Sequence, residues 1–270
     1  MKKVIQQNND NRFGFFKKDV GDLGFGVDES GKLAPGFQYF DALWWSGSAG
    51  TSYQNTLHNI PEFLKTWVPM FTRIAEYIMF NIKPQSVLDL GCGNGQLTKY
   101  MRDIDTGLLT VTVDANQDSI HSPYCNENHF VGRTDKVLDF VDENGDKIVF
   151  DLIISLEHIE HIMEDFIPIF MNNVLNHSKV GTKLIFTINS QPYGHETHKH
   201  IHCNCKPIQY WIDLINEHGF KVYKQEFNAI GAGGLIKPLP DDKIISPAYT
   251  GDGFILGRAV PSSELFCERV

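Results

Sequence analysis

The chain has 270 residues, 42% hydrophobic and 21% charged, with a formal charge of −9 from 24 Lys plus Arg against 33 Asp plus Glu. That size suits one large domain, or one domain with an attached segment, and the composition is that of a soluble globular protein. The acidic balance and the lack of a long basic run argue against a broad nucleic-acid face, leaving only a local patch open.

The N-terminal stretch MKKVIQQNNDNRFGFF lacks the apolar core of a signal peptide, and no apolar run reaches membrane-spanning length. The five cysteines (Cys92, Cys125, Cys203, Cys205 and Cys267) show no disulfide-like spacing. An odd count of this kind fits a reducing compartment, so the expected location is the cytoplasm, with no membrane partner. Residues 1–60 show no period but carry many aromatics, among them Phe13, Phe15, Phe16, Tyr39, Trp44, Trp45 and Tyr53. That richness predicts an ordered, irregular segment packed on a main domain of residues 61–270. From Pro61 to Phe80, apolar residues recur at three- and four-residue steps (Phe63, Leu64, Trp67, Phe71, Ile74, Ala75, Ile78), which predicts a helix. Pro69 should kink it, and Lys83-Pro84 should end it.

Residues 86–95 read Ser-Val-Leu-Asp-Leu-Gly-Cys-Gly-Asn-Gly, and Gln96 to Met101 read as the start of a helix. Strand, glycine turn and helix in that order build a nucleotide-binding corner, where glycines allow close backbone approach and dihedrals closed to other residues. The spacing is G-x-G-x-G rather than the dinucleotide G-x-G-x-x-G. A second strand, Leu109 to Val113, ends in Asp114 and is followed by Ala115. A carboxylate at that tip suits a ribose, whose two hydroxyls it can bind together.

Further on, the sequence predicts a short helix at about 116–121, a weak strand at 129–131 and a turn at Asn144-Gly145. Residues 147–155 read as a strand buried on both faces, and 156–176 as a helix that Pro168 could bend. A strand at 181–189 and a helix at 207–218 follow, the helix ended by Gly219. The last two strands are expected at 220–227 and 254–260 as an antiparallel pair, with a Gly/Pro-rich loop insert at about 228–252 between them. Strands alternating with helices argue for an α/β fold with a parallel sheet covered on both faces.

VLDLGCGNG (87–95) and VTVDAN (111–116) resemble the first and second motifs of the class I S-adenosylmethionine (SAM) dependent methyltransferases. The resemblance covers roughly residues 60–260. It implies a Rossmann-like, seven-stranded, mostly parallel sheet with a reversed last strand, and SAM as cofactor. By that resemblance Gly91, Cys92, Gly93 and Gly95 cradle the methionine part, and Asp89 positions its amino group. Asp114, with Ala115, holds the ribose. Asp135 is the candidate for the adenine amino group, and Ser155, at the end of the fourth strand, belongs to the same cofactor set. The N-terminal segment would cover the cofactor, with Tyr39, Trp44, Trp45 and Tyr53 as pocket-wall candidates, although each can equally be core packing.

The fourth strand runs into Ser-Leu-Glu-His-Ile-Glu-His (155–161). On a helix Glu157, Glu160 and His161 would share one face, as a divalent cation site requires. This ExxEH cluster resembles two metal-dependent groups, the enzymes that methylate the 3′-terminal ribose of small RNAs and the O-methyltransferases of ubiquinone biosynthesis. Mg²⁺ or Mn²⁺ would be the candidate ion, lowering the pKa of an acceptor hydroxyl. In metal-free relatives the same stretch often reads S-x-E-V-I-E-H and only caps the helix and lines the pocket. A second cluster, His195, His198, His200 and His202, lies in the loop at 193–205. The resemblance makes His200 the fourth metal ligand, with His202 next. One of these histidines could instead be a general base, the loop a substrate contact, or the whole a solvated turn. A zinc site on Cys203 and Cys205 lacks the usual spacing.

The resulting expectation is a SAM-dependent methyltransferase acting on a hydroxyl of a small-molecule or sugar-like metabolite. His200, His161 and Glu157 are the catalytic candidates, and Glu157, Glu160, His161 and His200 the metal candidates. The alternatives are the terminal ribose of RNA, a nitrogen acceptor, or a fold kept as a binding module.

Overall fold

The computed structural model describes residues 3–7, 71–115, 119, 121–189, 204–227 and 262–270. The aromatic residues of the N-terminal segment, the 228–252 insert, the expected strand at 254–260 and the histidines at 195–202 lie outside those residues, as does most of the helix expected at 116–121.

Nine strands are described: β1 (Ile5–Gln6), β2 (Ser86–Leu90), β3 (Leu109–Asp114), β4 (His129–Val131), β5 (Phe140–Val141), β6 (Phe150–Leu156), β7 (Ser178–Asn189), β8 (Phe220–Phe227) and β9 (Ser262–Arg269). Three α-helices accompany them: α1 (Gln96–Ile104), α2 (Ile167–Asn176) and α3 (Ile208–Glu217). Seven strands form one sheet in the order β4-β3-β2-β6-β7-β9-β8. The first five run parallel, whereas β9 is antiparallel to both of its neighbours. This is the expected architecture, with the last strand of the chain reversed and inserted beside β7. The chain moves outward from β2 to β3 and β4, then returns to the other side of β2 with β6. The switch point between β2 and β6 is where an open α/β sheet binds ligands, at the carboxyl ends of its strands.

Alternate residues feed two cores, as a sheet covered on both faces requires. Leu88, Leu90, Val111, Val113 and Ile153 pack under α2 and α3, against Phe170, Val174, Trp211 and Ile215. Val87, Leu152, Ile154 and Ile185 pack on the other side, against Ile74, Ile78, Leu97 and Met101. Each such side chain contributes about 1.5–3 kcal/mol by leaving water. Residues 71–77 are helical and continue as a π-helical turn, Ile78–Ile82. Lys83 closes it with φ 55° and its N–H on the Ile78 carbonyl, and Pro84 cannot extend it.

Three expectations need correction. The stretch 156–176 is not one helix: β6 continues through Leu156, 3₁₀ turns occupy Ile159–His161 and Glu164–Phe166, and α2 begins only at Ile167. Pro168 therefore sits in the first turn, where its missing N–H costs nothing, and starts the helix rather than bending it. The reversed strand is Ser262–Arg269 rather than 254–260. Its buried centre is short, with Leu265 and Cys267 in one core and Phe266 in the other, between polar ends. The N-terminus also pairs where no strand was expected, Ile5 against Val141 and Gln6 against Phe140.

Candidate active site

The site begins where β2 ends. Gly91, Gly93 and Gly95 all have positive φ, at 82°, 58° and 76°. The turn is tied to β3: the N–H groups of Gly91 and Cys92 both donate to the Val113 carbonyl, at 2.9 and 3.1 Å. The Gly93 N–H donates to the Asp114 carboxylate at 2.7 Å. The three glycines do different work. A Cβ on Gly91 would lie 2.5 Å from Nδ1 and 2.8 Å from Cδ2 of His158, and one on Gly95 would lie 2.9 Å from Sγ of Cys125. At Gly93 no described atom lies within 4 Å. Among the described residues, Gly93 alone of the three leaves room for a Cβ, the cradle a ligand would fill.

Two acids flank that space. Asp89 and Asp114 are 3% and 6% exposed. Burial, reinforced by the charge of Asp114, pushes the Asp89 carboxyl up to about 8. A ligand carrying a positive charge would reverse this, because an adjacent cation favours the ionised acid. The ammonium of SAM would bring such a charge. Cys92 is a poor nucleophile, because burial and both acids push its thiol well up. Ala115 lies just past Asp114 and is partly exposed.

The loop after β4 forms the next wall. The Gly132 N–H donates to the Asp114 carbonyl at 2.8 Å. Asp135, 1% exposed, is gripped by Arg133: Nε donates to Oδ1 at 2.7 Å and the terminal NH2 group to the second oxygen. An adenine amino group would have to share this carboxylate with the guanidinium, which the remaining lone pairs allow. Ser155 is buried, and its hydroxyl donates to the Leu90 carbonyl at 2.9 Å, joining β6 to the end of β2.

The Glu157–His161 segment is a turn rather than a helical face. Glu157 is exposed, with φ 49°, and its N–H reaches both the carbonyl and Oγ1 of Thr187, at 3.0 and 2.7 Å. Glu160 is fully buried and His161 nearly so. Spacing by a helical turn therefore does not place these three side chains side by side. Among the described residues no group of three His, Cys, Asp or Glu side chains could hold a metal ion. His200, the fourth metal candidate, lies outside the described residues. The end of the histidine loop does reach this turn, since the Asn204 N–H donates to the Glu160 carbonyl at 3.0 Å. Cys205, next in sequence, is pushed up to about 11, by burial and then by the Glu160 charge, so it remains a thiol.

Two histidines that sequence patterns did not single out belong to the site. His158 packs on Gly91, and its Nε2 lies 2.7 Å from Oγ1 of Thr134. His129 lies between Thr112 and Ser119, each 2.8 Å from a ring nitrogen, and burial pushes it down to about 4. Neither stands in a ligand or catalytic spacing, so only the fold could reveal them.

A family profile described as "Methyltransferase domain" matches residues 57–226, more than half of the chain. The chain belongs to the methyltransferase domain family. Its class I fold is that of the SAM-dependent enzymes. The small RNA 2′-O-methyltransferases of Mus musculus and Rattus norvegicus are each 31% identical over 122 residues, covering 40% of this chain. That match spans 30% of the length of those relatives. Among solved structures, the plantazolicin methyltransferase BpumL in complex with SAH is similar at a TM-score of 0.47 and 14% identity, covering 82% of this chain and 95% of that one. The O-methyltransferase of a trans-AT PKS multienzyme from Brevibacillus brevis, also with SAH, is similar at 0.47 and 14%, covering 73% and 72%. Among the described residues of this methyltransferase, no helix is long and apolar enough to cross a membrane.

Proposed function

We propose that this methyltransferase moves the methyl group of SAM to a hydroxyl of a small, sugar-like acceptor. The observation that carries the reading is the contact between two turns. The 157–161 turn at the end of β6 rests on the glycine turn through His158, which brings the segment carrying Glu157, Glu160 and His161 up to the donor corner. An amine acceptor would need little from those groups, whereas a hydroxyl must lose a proton, so this placement favours oxygen.

Bound SAM supplies a sulfonium-activated methyl; the acceptor oxygen bonds to it as the carbon–sulfur bond breaks, leaving SAH. Asp89, in its ionised form, holds the amino group of the methionine part, and Asp114 holds the ribose. The backbone at Gly93 lets the donor sit close. His161 takes the hydroxyl proton, with His200 the next candidate and Glu157 at the rim. Holding the reactants in line and excluding water supplies much of the acceleration.

A second reading, the terminal ribose of RNA, is favoured by one specific observation, the similarity to proteins named small RNA 2′-O-methyltransferases. The charge of −9 weighs toward the smaller acceptor. The two are separated by supplying methyl-labelled SAM with a panel of free sugars, sugar nucleotides and short single-stranded RNAs, with and without EDTA or added Mn²⁺. Label on a sugar oxygen and none on RNA is the expected result. Label that appears only on RNA ends would shift the assignment to the second reading, and label on nitrogen would overturn both.

A further inference from the structure

His158 sits where three loops of the donor site meet. From the end of β6 its ring lies against Gly91 so closely that the glycine has no room for a Cβ. Its Nε2 reaches across to Thr134 Oγ1 at 2.7 Å, in the loop after β4. The opposite side of that loop is held by α2. Asn173, 1% exposed, donates to the carbonyls of Thr134 and Lys136 at 2.9 and 2.7 Å and accepts the Leu138 N–H at 2.8 Å. Phe170 of α2 backs the imidazole, with ring centroids 6.2 Å apart. The 132–138 loop is thus clamped between Asn173 on one side and His158 on the other, and it carries the Arg133–Asp135 pair.

From this geometry we infer that His158 is a positioning residue for the methyl donor: it fixes the spacing between the Gly91 turn and the Thr134 loop, and so the width of the SAM pocket. The absent Cβ at Gly91 makes room for this ring, while at Gly93 no described atom crowds the turn. The ring is unsuited to act as base. One nitrogen is engaged by Thr134 and the other faces the glycine turn.

The inference rests on the glycine turn being the donor site, and its test separates the two. Calorimetric titration with SAH would be run on the full chain and on His158→Val, Thr134→Val, the double variant and His158→Gln, each with its Tm. A lost hydrogen bond that orders a pocket is worth roughly a tenfold change in Kd. His158→Val and Thr134→Val should each raise the SAH Kd about tenfold. The double variant should be no worse than either single one, because both remove the same link. His158→Gln, whose amide nitrogen can reach Thr134, should restore binding. Variants that lower Tm but bind SAH as tightly as wild type would overturn the positioning role and leave only packing. Additive losses in the double variant would overturn the link. Wild type failing to bind SAH would instead remove the donor site itself.

Discussion

At the scale of single residues, the donor site is governed by two buried acids, Asp89 and Asp114: burial, and then the charge of the second, keeps the first protonated. Asp89, raised to about 8, is mostly protonated at neutral pH in the free protein. Receiving an ammonium group requires it to ionise, so binding SAM below pH 8 should release up to one proton. Calorimetry in two buffers of different ionisation enthalpy reads this directly. Affinity should rise about tenfold per pH unit toward pH 8 and level off above it. Asp89→Asn should bind more weakly and with no pH dependence in that window, whereas a wild-type affinity that is flat between pH 6 and 8 would contradict the role. Both acids could be located from the sequence, one within β2 two residues before Gly91 and one at the tip of β3. Arg133 as partner of Asp135, and His158 as partner of Gly91, could not, since nothing in the spacing of these residues encodes a contact across loops.

Among the elements, the buried histidines dominate the pH response of the fold. His129 is pushed down to about 4 and His158 to about 3, both mainly by burial, and His177 is lowered for the same reason. Their unfolded value is about 6.5. Below that pH the unfolded chain takes up protons that the folded chain refuses, so stability present above pH 6.5 is lost as pH falls toward 4. His129 and His158 each contribute about 1.4 kcal/mol per pH unit over that window, and His177 acts in the same direction. Asp89 works in the opposite sense: its retained proton favours the folded state fully below about 3.8, an advantage lost as pH rises to 8. With several histidines against one acid, Tm should fall between pH 7 and 5, and His129→Asn should flatten that slope. A Tm that holds steady over this range would contradict the buried, neutral state. Trp211, fully buried on α3, should cost about 3–5 kcal/mol on replacement by Ala, read from denaturant unfolding. At this scale the sequence misled wherever local signals were asked to fix long elements. Pro168 was legible as a helix disturbance, but only the path of β6 through Leu156 shows that the helix starts there. Ser262–Arg269 was passed over because only its three central residues are apolar, and its place between β7 and β8 is set by pairing rather than pattern.

For the whole molecule, the order of strands places β2, β3 and β6 so that their carboxyl ends converge at the switch point. The glycine turn, Asp114 and the 157–161 turn meet there. The fold class and donor corner could be read from the sequence because strand–turn–helix periodicity and glycine spacing are local. The path of Glu157 to His161, expected to be helical, could not, because the chain forms a strand end and a 3₁₀ turn there. The acceptor depends on groups gathered from distant segments, and so it stands as a proposal to be tested by methyl transfer. Beneath it lies a simpler claim, that this corner binds SAM. The most direct test is a calorimetric titration of SAM into the full chain and into Asp114→Ala. The account predicts one-to-one binding to wild type, weakened by about 1–3 kcal/mol in the variant, because the ribose hydroxyls lose a charged acceptor. Equal affinity in both proteins would contradict the placement of the ribose on Asp114, and no binding to wild type would contradict the donor site as a whole.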